Sequence, residues 1–214
     1  MNLAHRISQH PRLTEPVRAA IARYLSAVDG AAPGLVEGLF ATGSLALDDY
    51  RDGSSDIDIV ALTSRQLAAA DIEHLRTVHA PLGTPHVDGI YLDRACFDAM
   101  PDDERVVPHA HEGVLHGERP CGELNPVLWR TLERYPLIVR EPATAVRIRT
   151  VDEARLRAWC AGNLARYWQP LATRLRATIA DRDDAELVEA STIIWTTLGP
   201  GRLHCTITTG TVIS

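Results

Sequence analysis

Two aspartates separated by a single residue, Asp56 and Asp58, are the side chains of this sequence most suited to chemistry. They open the stretch 56–62, whose other residues are apolar, and alternate residues of a strand lie on the same face of its sheet. Both carboxylates are therefore expected on one face. Burying them without a counter-charge is costly, so the pattern favours hard divalent cations bound through oxygen ligands.

A Gly-Ser pair, Gly43-Ser44, precedes these aspartates and follows a predicted strand at 35–42. A glycine at the end of a strand allows main-chain amides and a neighbouring hydroxyl to approach a phosphate closely. A third carboxylate, Asp88, projects from the next predicted strand, 87–92. With it, two metal ions could bridge the attacking and leaving oxygens of a displacement at phosphorus.

Two other phosphate or metal motifs are excluded. An EF-hand loop would need Asp or Asn where Tyr50 stands and Glu where Ile59 stands. A Walker phosphate loop needs a lysine, and the sequence contains none, so all 22 of its basic side chains are arginines.

The elements that must position these residues are helices and strands in alternation. A helix is predicted after the N-cap Thr14, with Pro16 in its first turn, and another is predicted from Ser64 to Val78. Residues 99–126 read as loop because their periodicity is weak and prolines are frequent. A short helix at 127–135 and a strand at 136–141 follow.

The C-terminal part of the chain reads as helical. A helix begins at Asp152 and is expected to kink at Pro170, and a second helix at 185–198 is expected to stop at Gly199-Pro200-Gly201. Trp159, Trp168 and Trp195 have helical spacing and are predicted to lie in the core. The predicted fold class is α+β, with a small mixed sheet flanked by helices in one domain, 1–145, and an all-helical domain at 151–214.

Composition limits the classes of function. With 214 residues, 45% apolar and 23% charged, the chain is typical of globular proteins. We expect no membrane span and no signal peptide, and the four cysteines form no C-x-x-C pair, so a cytoplasmic location is expected. A net charge of −6 argues against general nucleic-acid binding and favours a small cationic substrate.

Gly43-Ser44 followed by Asp56-Ile57-Asp58 resembles the signature of polymerase-β-like nucleotidyltransferases. Further stretches resemble aminoglycoside adenylyltransferases of the streptomycin/spectinomycin type, namely Tyr50-Arg51, 54–58, 125–129, 198–203 and Thr209-Gly210. The resemblance covers most of the chain. It implies an N-terminal nucleotidyltransferase domain and a C-terminal helical domain that binds the substrate.

The resemblance also implies the reaction and its residues. A substrate hydroxyl attacks the α-phosphate of ATP, pyrophosphate leaves, and AMP stays on an aminoglycoside-like molecule, as in antibiotic resistance. Gly43 and Ser44 hold the nucleotide phosphates with help from Ser55, and Asp56, Asp58 and Asp88 bind Mg²⁺, expected as two ions. Asp88 also falls on the position of the catalytic base.

A phosphate-binding lysine of that family should come immediately after Ser214, so the helical domain is expected to be incomplete. Two other functions remain open. The acceptor hydroxyl could belong to a protein or a tRNA, or the chain could be a non-catalytic nucleotide-binding, antitoxin-like module.

Overall fold

The computed structural model describes residues 7–102, 104–180 and 190–214. Within them, a six-stranded mixed sheet flanked by helices is followed by helices alone, which confirms the predicted α+β class. The chain divides into two compact units, Met1–Thr150 and Val151–Ser214.

The first unit contains all the strands described. Its elements are α1 (Glu15–Ala31), β1 (Val36–Ala41), α2 (Gly43–Ala46), β2 (Ile57–Thr63), α3 (Ala69–His79), β3 (Val87–Asp93), α4 (Arg94–Ala99), β4 (His109–His111), β5 (Val114–His116), α5 (Pro126–Arg134) and β6 (Leu137–Arg140).

The sheet has the strand order β5-β4-β3-β2-β1-β6. β2 and β3 are parallel and are joined by the crossover helix α3, whereas every other neighbouring pair is antiparallel. The parallel pair at the centre is what brings the beginnings of β2 and β3 side by side.

α1 and α3 pack against one face of this sheet. As predicted, α1 follows Thr14 and buries an apolar stripe that includes Val17, Ile21 and Tyr24. These residues join Ile57, Ile59 and other alternate strand residues in one core cluster.

The opposite face is covered by α4 and α5. Phe40 of β1 stacks on Phe97 of α4 with ring centroids 5.5 Å apart, and Phe97 meets Trp129 of α5 edge-on at the same distance. The Trp129 indole N–H donates to the Pro101 carbonyl at 2.8 Å. Asp58 lies on this second face, because Val60, two residues later, is the register partner of Phe40.

Two predictions about local structure in this unit were wrong. α3 begins at Ala69 rather than after Ser64, because the Asp71 carboxylate accepts from the Ala68 N–H at 2.7 Å and from Arg65, which holds the preceding residues in a turn. Residues 99–126, predicted as loop, contain the hairpin of β4 and β5. Strands of three residues are too short to show alternation in a sequence.

The second unit consists of α6 (Glu153–Asn163), a π-helical turn (Leu164–Trp168), α7 (Gln169–Ala180) and α8 (Ala190–Thr209). The π-helical turn lies just before Pro170, where the sequence predicted a kink. The predicted stop at Gly199-Pro200-Gly201 was wrong, because α8 continues through Pro200.

Trp168 packs on α8 directly beside this proline. A Cβ added at Gly199 would lie 2.2 Å from the Trp168 ring, so only glycine allows the indole to rest on α8. The prediction of core positions for the three tryptophans was wrong, since Trp159 and Trp168 are only half-buried and 46% of Trp195 is exposed. Among the helices described, none combines the length and apolarity that a membrane crossing requires.

Candidate functional site

The two halves of the Gly-Ser and Asp-x-Asp pattern are in direct contact. Gly43 follows β1 with φ +53, and a Cβ built there would lie 1.9 Å from Oδ2 of Asp58. The Thr42 N–H donates to the Asp58 carbonyl at 2.9 Å. Glycine is required at position 43 for its left-handed backbone and again for the space that Asp58 occupies.

Asp58 and Asp88 are register partners on the parallel strands β2 and β3, so their side chains lie next to each other on one face. Asp56 immediately precedes β2, two residues before Asp58. The structure therefore brings the three predicted acids together at the N-terminal ends of these strands.

Crowding of negative charge is strongest at Asp58. The pKa of this half-buried group is raised to about 7 by burial first and then by repulsion from Glu123, Asp88 and Asp56, against the opposing effect of His111. Burial and the charge of Asp88 also raise the pKa of Asp56, with His86 acting in the opposite direction. A cation at this point would relieve the repulsion.

Glu123 is an acid of the site that sequence reasoning missed. Part of the residue contacts solvent, yet surrounding atoms desolvate its carboxyl group and raise its pKa, as does Asp88, whereas His111 lowers it. Glu123 lies just before α5. The start of that helix is fixed by Asn125, because its Oδ1 accepts from the N–H groups of Val127 and Leu128 at 2.9 and 3.2 Å. The sequence predicted only the short helix that follows, at 127–135.

Asp88 is deeply buried, with 4% of it exposed, and both of its oxygens accept hydrogen bonds. Oδ2 is 3.0 Å from Nδ1 of His111, and Oδ1 accepts from the Glu112 N–H at 2.9 Å. Burial acts to lower the pKa of His111, but the hydrogen bond to Asp88 and the charges of Asp88, Glu123 and Glu112 outweigh it and raise the pKa.

The two predicted serines lie on either side of the loop that joins α2 to β2. Ser44 is half-buried in α2, and its carbonyl accepts from the Asp49 N–H at 2.9 Å. The Ser55 hydroxyl accepts from the Arg51 N–H at 3.1 Å and so braces the other end of the loop.

The donor set suits a hard divalent cation that substrate oxygens help to bind. Within residues 7–102, 104–180 and 190–214, no group of three or more His, Cys, Asp or Glu side chains could by itself hold a metal ion. Magnesium commonly uses one or two carboxylates and completes its shell with water and substrate phosphates. The neighbouring carboxylates, and the repulsion that raises the pKa of Asp58, fit that mode of binding.

Comparison with known proteins identifies the fold. No family model matches the sequence, and no curated protein matches it either. A solved structure that is similar is spectinomycin adenyltransferase AAD(9) from Enterococcus faecialis with ATP and spectinomycin. The TM-score is 0.57 at 14% sequence identity, over 92% of this chain and 78% of that chain. The likeness confirms at the level of the fold the resemblance predicted from the sequence.

Proposed function

We propose that this chain is a metal-dependent nucleotidyltransferase that moves AMP from ATP to a hydroxyl of a small cationic, aminoglycoside-like molecule. The contact between Gly43 and Asp58, with Asp88 beside Asp58 in register, is the observation that carries the proposal. In this contact the glycine, which phosphates could approach closely, lies next to the carboxylates. The fold supports it, because the similar structure contains ATP and spectinomycin.

In the proposed site, Gly43 and Ser44 hold the phosphates of ATP, with Ser55 assisting from the other end of the loop. Asp56, Asp58 and Asp88 would hold Mg²⁺, expected as two ions. When bound, Mg²⁺ supplies positive charge against the triphosphate and the carboxylates. The carboxylates in turn keep that charge at the N-terminal ends of β2 and β3, where Gly43 lies.

The reaction forms a bond between the acceptor oxygen and the α-phosphorus and breaks the bond from that phosphorus to the bridging oxygen of pyrophosphate. The proton of the acceptor hydroxyl passes to a base, for which Asp88 is proposed. Most of the rate enhancement would come from positioning and from compensation of charge, as is general for phosphoryl transfer.

The charges around the site support a cationic acceptor. Glu112 and Glu123 add negative charge next to the three aspartates, and each affects the pKa of a neighbouring site residue. An acceptor with amino groups would complement this field, whereas the phosphates of a tRNA would be repelled by it.

The test measures pyrophosphate release and the mass of the acceptor with ATP, Mg²⁺ and a panel of aminoglycosides and aminocyclitols. We expect one or more acceptors to gain an adenylyl group in the parent and none in Asp58→Asn. Asp98→Asn, which changes an exposed aspartate of α4, is the matched control and should behave as the parent does.

Other results would favour a different function. Adenylylation of a protein or a tRNA, but of no small molecule, would move the proposal to a macromolecular acceptor. Binding of ATP without release of pyrophosphate under any condition would indicate a non-catalytic nucleotide-binding module.

A further inference from the structure

The tip of the β4–β5 hairpin contacts the proposed third acid at two points. His111 Nδ1 lies 3.0 Å from Oδ2 of Asp88, and the Glu112 N–H donates to Oδ1 at 2.9 Å. When Asp88 is ionised its carboxylate can only accept, and Nδ1 of His111 is then the donor. Each oxygen of Asp88 is thus bonded by a different residue of the tip.

An unusual backbone presents the second of these donors. The hairpin turns through Glu112 and Gly113, both with positive φ, 49 and 77, between the paired residues His111 and Val114. Two-residue turns of this kind favour Asn, Asp or Gly at the first position, and glutamate is strained there. The hydrogen bond from its N–H to Asp88 offsets that strain.

The two hydrogen bonds fix the plane of a carboxylate that lies beside Asp58. Asp88 is 4% exposed, whereas 54% of the His111 side chain is exposed, so His111 approaches from the open side of the site. Each carboxylate oxygen has two lone pairs and uses one of them here, which leaves a second to face the reacting groups.

We propose that His111 is a positioning residue that, together with the Glu112 N–H, orients the Asp88 carboxylate for the transfer reaction. This inference rests on the proposed function. Residues that hydrogen-bond a ligand or a catalytic group commonly set its orientation, and their loss lowers activity without removing the group itself.

The simpler alternative is that Asp88 only fastens the hairpin to the sheet. The two roles differ in what His111 must supply. A fastening role would show as lost stability with little change in kcat, whereas an orienting role requires a hydrogen-bond donor at this place and nothing else from the imidazole.

The first experiment compares His111→Ala, which removes the donor, with His111→Asn, whose side-chain amide can donate to Asp88. We expect His111→Ala to lower kcat for pyrophosphate release by about 10- to 100-fold with an unchanged KM for ATP and an unchanged Tm. His111→Asn should restore most of the activity. His116→Ala, a histidine of the same hairpin that pairs with His109, is the control and should match the parent.

Parent-like kcat in His111→Ala would overturn the positioning role, and so would loss of activity in His111→Asn equal to that in His111→Ala, since donation would then not suffice. A fall in Tm that accounts for the lost activity would show that the contact only fastens the hairpin. A parent that releases no pyrophosphate with any acceptor would remove the proposed function instead.

A second measurement does not depend on turnover. Long-range ¹H–¹⁵N NMR spectra of the whole chain report which imidazole nitrogens carry protons, and the His111 signals are assigned by their loss in His111→Asn. We expect a proton on Nδ1 of His111 in the parent and a shift toward the Nε2–H tautomer in Asp88→Asn, with His116 unchanged. Identical His111 signals in the parent and Asp88→Asn would overturn the contact itself.

Discussion

At the scale of single residues, Gly43 lies after β1 with its backbone against the Asp58 side chain of β2. We predict that Gly43→Ala abolishes ATP binding and destabilises the fold. The left-handed backbone alone costs a non-glycine residue about 1 to 2 kcal/mol, and the new methyl group would displace the Asp58 carboxylate as well. Calorimetric titration with a non-hydrolysable ATP analogue and Mg²⁺, together with thermal unfolding, measures both effects.

Gly34→Ala separates the two causes. Gly34 also has a positive φ, +73, but no atom lies within 4 Å of a Cβ built there. This variant should lose a similar amount of stability from the backbone and retain its affinity for the ATP analogue. Equal affinities in Gly43→Ala and the parent would disprove the proposed place of the phosphates.

Asp58 leads to a prediction about pH. Its pKa in the folded protein is about 7, against an ordinary value of 3.8, so between these values the folded state binds a proton that the unfolded state does not. The contribution of Asp58 to the stability of the metal-free protein should therefore fall as pH rises from about 4 to 7. Asp58→Asn removes this loss and should be more stable than the metal-free parent at pH 8, by about 1 to 2 kcal/mol once solvent screening is allowed for.

Denaturant unfolding of both proteins at pH 5 and pH 8, with and without Mg²⁺, is the measurement. The advantage of the variant should be small at pH 5 and should shrink at pH 8 when Mg²⁺ binds the parent. The variant should also be inactive. A stability advantage of Asp58→Asn over the metal-free parent that does not grow from pH 5 to pH 8 would contradict the raised pKa of Asp58.

At the scale of elements, a buried chain of hydrogen bonds ties α1 and α3 to β3. The Tyr24 and Tyr91 hydroxyls lie 2.8 Å apart, and the Tyr91 hydroxyl lies 2.6 Å from Nε2 of His79. Burial lowers the pKa of His79 from 6.5 to about 4, with Asp88 and the Val87 backbone acting in the opposite direction. The imidazole is therefore neutral in the folded protein at neutral pH.

The buried His79 of this hydrogen-bonded chain leads to a prediction about stability in acid. The unfolded state binds a proton at this histidine below pH 6.5 and the folded state does not until about pH 4, so the contribution of His79 to stability should fall as pH is lowered across that window, opposite in sign to the contribution of Asp58. At about 1.4 kcal/mol per pKa unit, the loss reaches about 3 kcal/mol. Urea unfolding should show that the free energy of unfolding of His79→Gln, relative to that of the parent, rises from pH 7 to pH 4. His74→Gln, which changes an exposed histidine of the same helix, should keep a constant difference from the parent.

The elements that the sequence predicted well are those with enough residues to show a period. α1 has an apolar stripe and a proline in its first turn, and β2 is a run of buried residues interrupted only by Asp58. β4 and β5 have three residues each, and α8 continues through Pro200, where Trp168 rests on Gly199. Tertiary contacts of that kind leave no local pattern.

The residues of the site also divide into those that the sequence predicted and those that it did not. Gly43, Asp56 and Asp58 were visible because one loop brings them together, and Asp88 because the next strand does. Glu123 and His111 enter the site from the region between α4 and α5, where prolines obscured the hairpin. Their proximity depends on the pairing of β3 with β4, which follows from the whole sheet rather than from any nearby residues.

At the scale of the whole molecule, the net charge of −6 and the acids around the site act on any charged acceptor before it binds. We predict that KM for a cationic acceptor rises several-fold between about 10 and 150 mM KCl, because the screening length falls from about 30 to 8 Å. Initial rates of pyrophosphate release at several salt concentrations measure this. An uncharged polyol acceptor of lower affinity is the control and should show little dependence. A KM that is independent of salt would exclude long-range attraction.

The contact between Gly43 and Asp58 also has a use in protein engineering. It closes the segment between α2 and β2 at its base, and the cost of closing a loop grows slowly with its length. Gly53, which is exposed with open space around it, is thus a point at which a fluorescent reporter domain could be inserted while the two ends of the loop remain together. Such a fusion would convert occupancy of the neighbouring site into an optical signal.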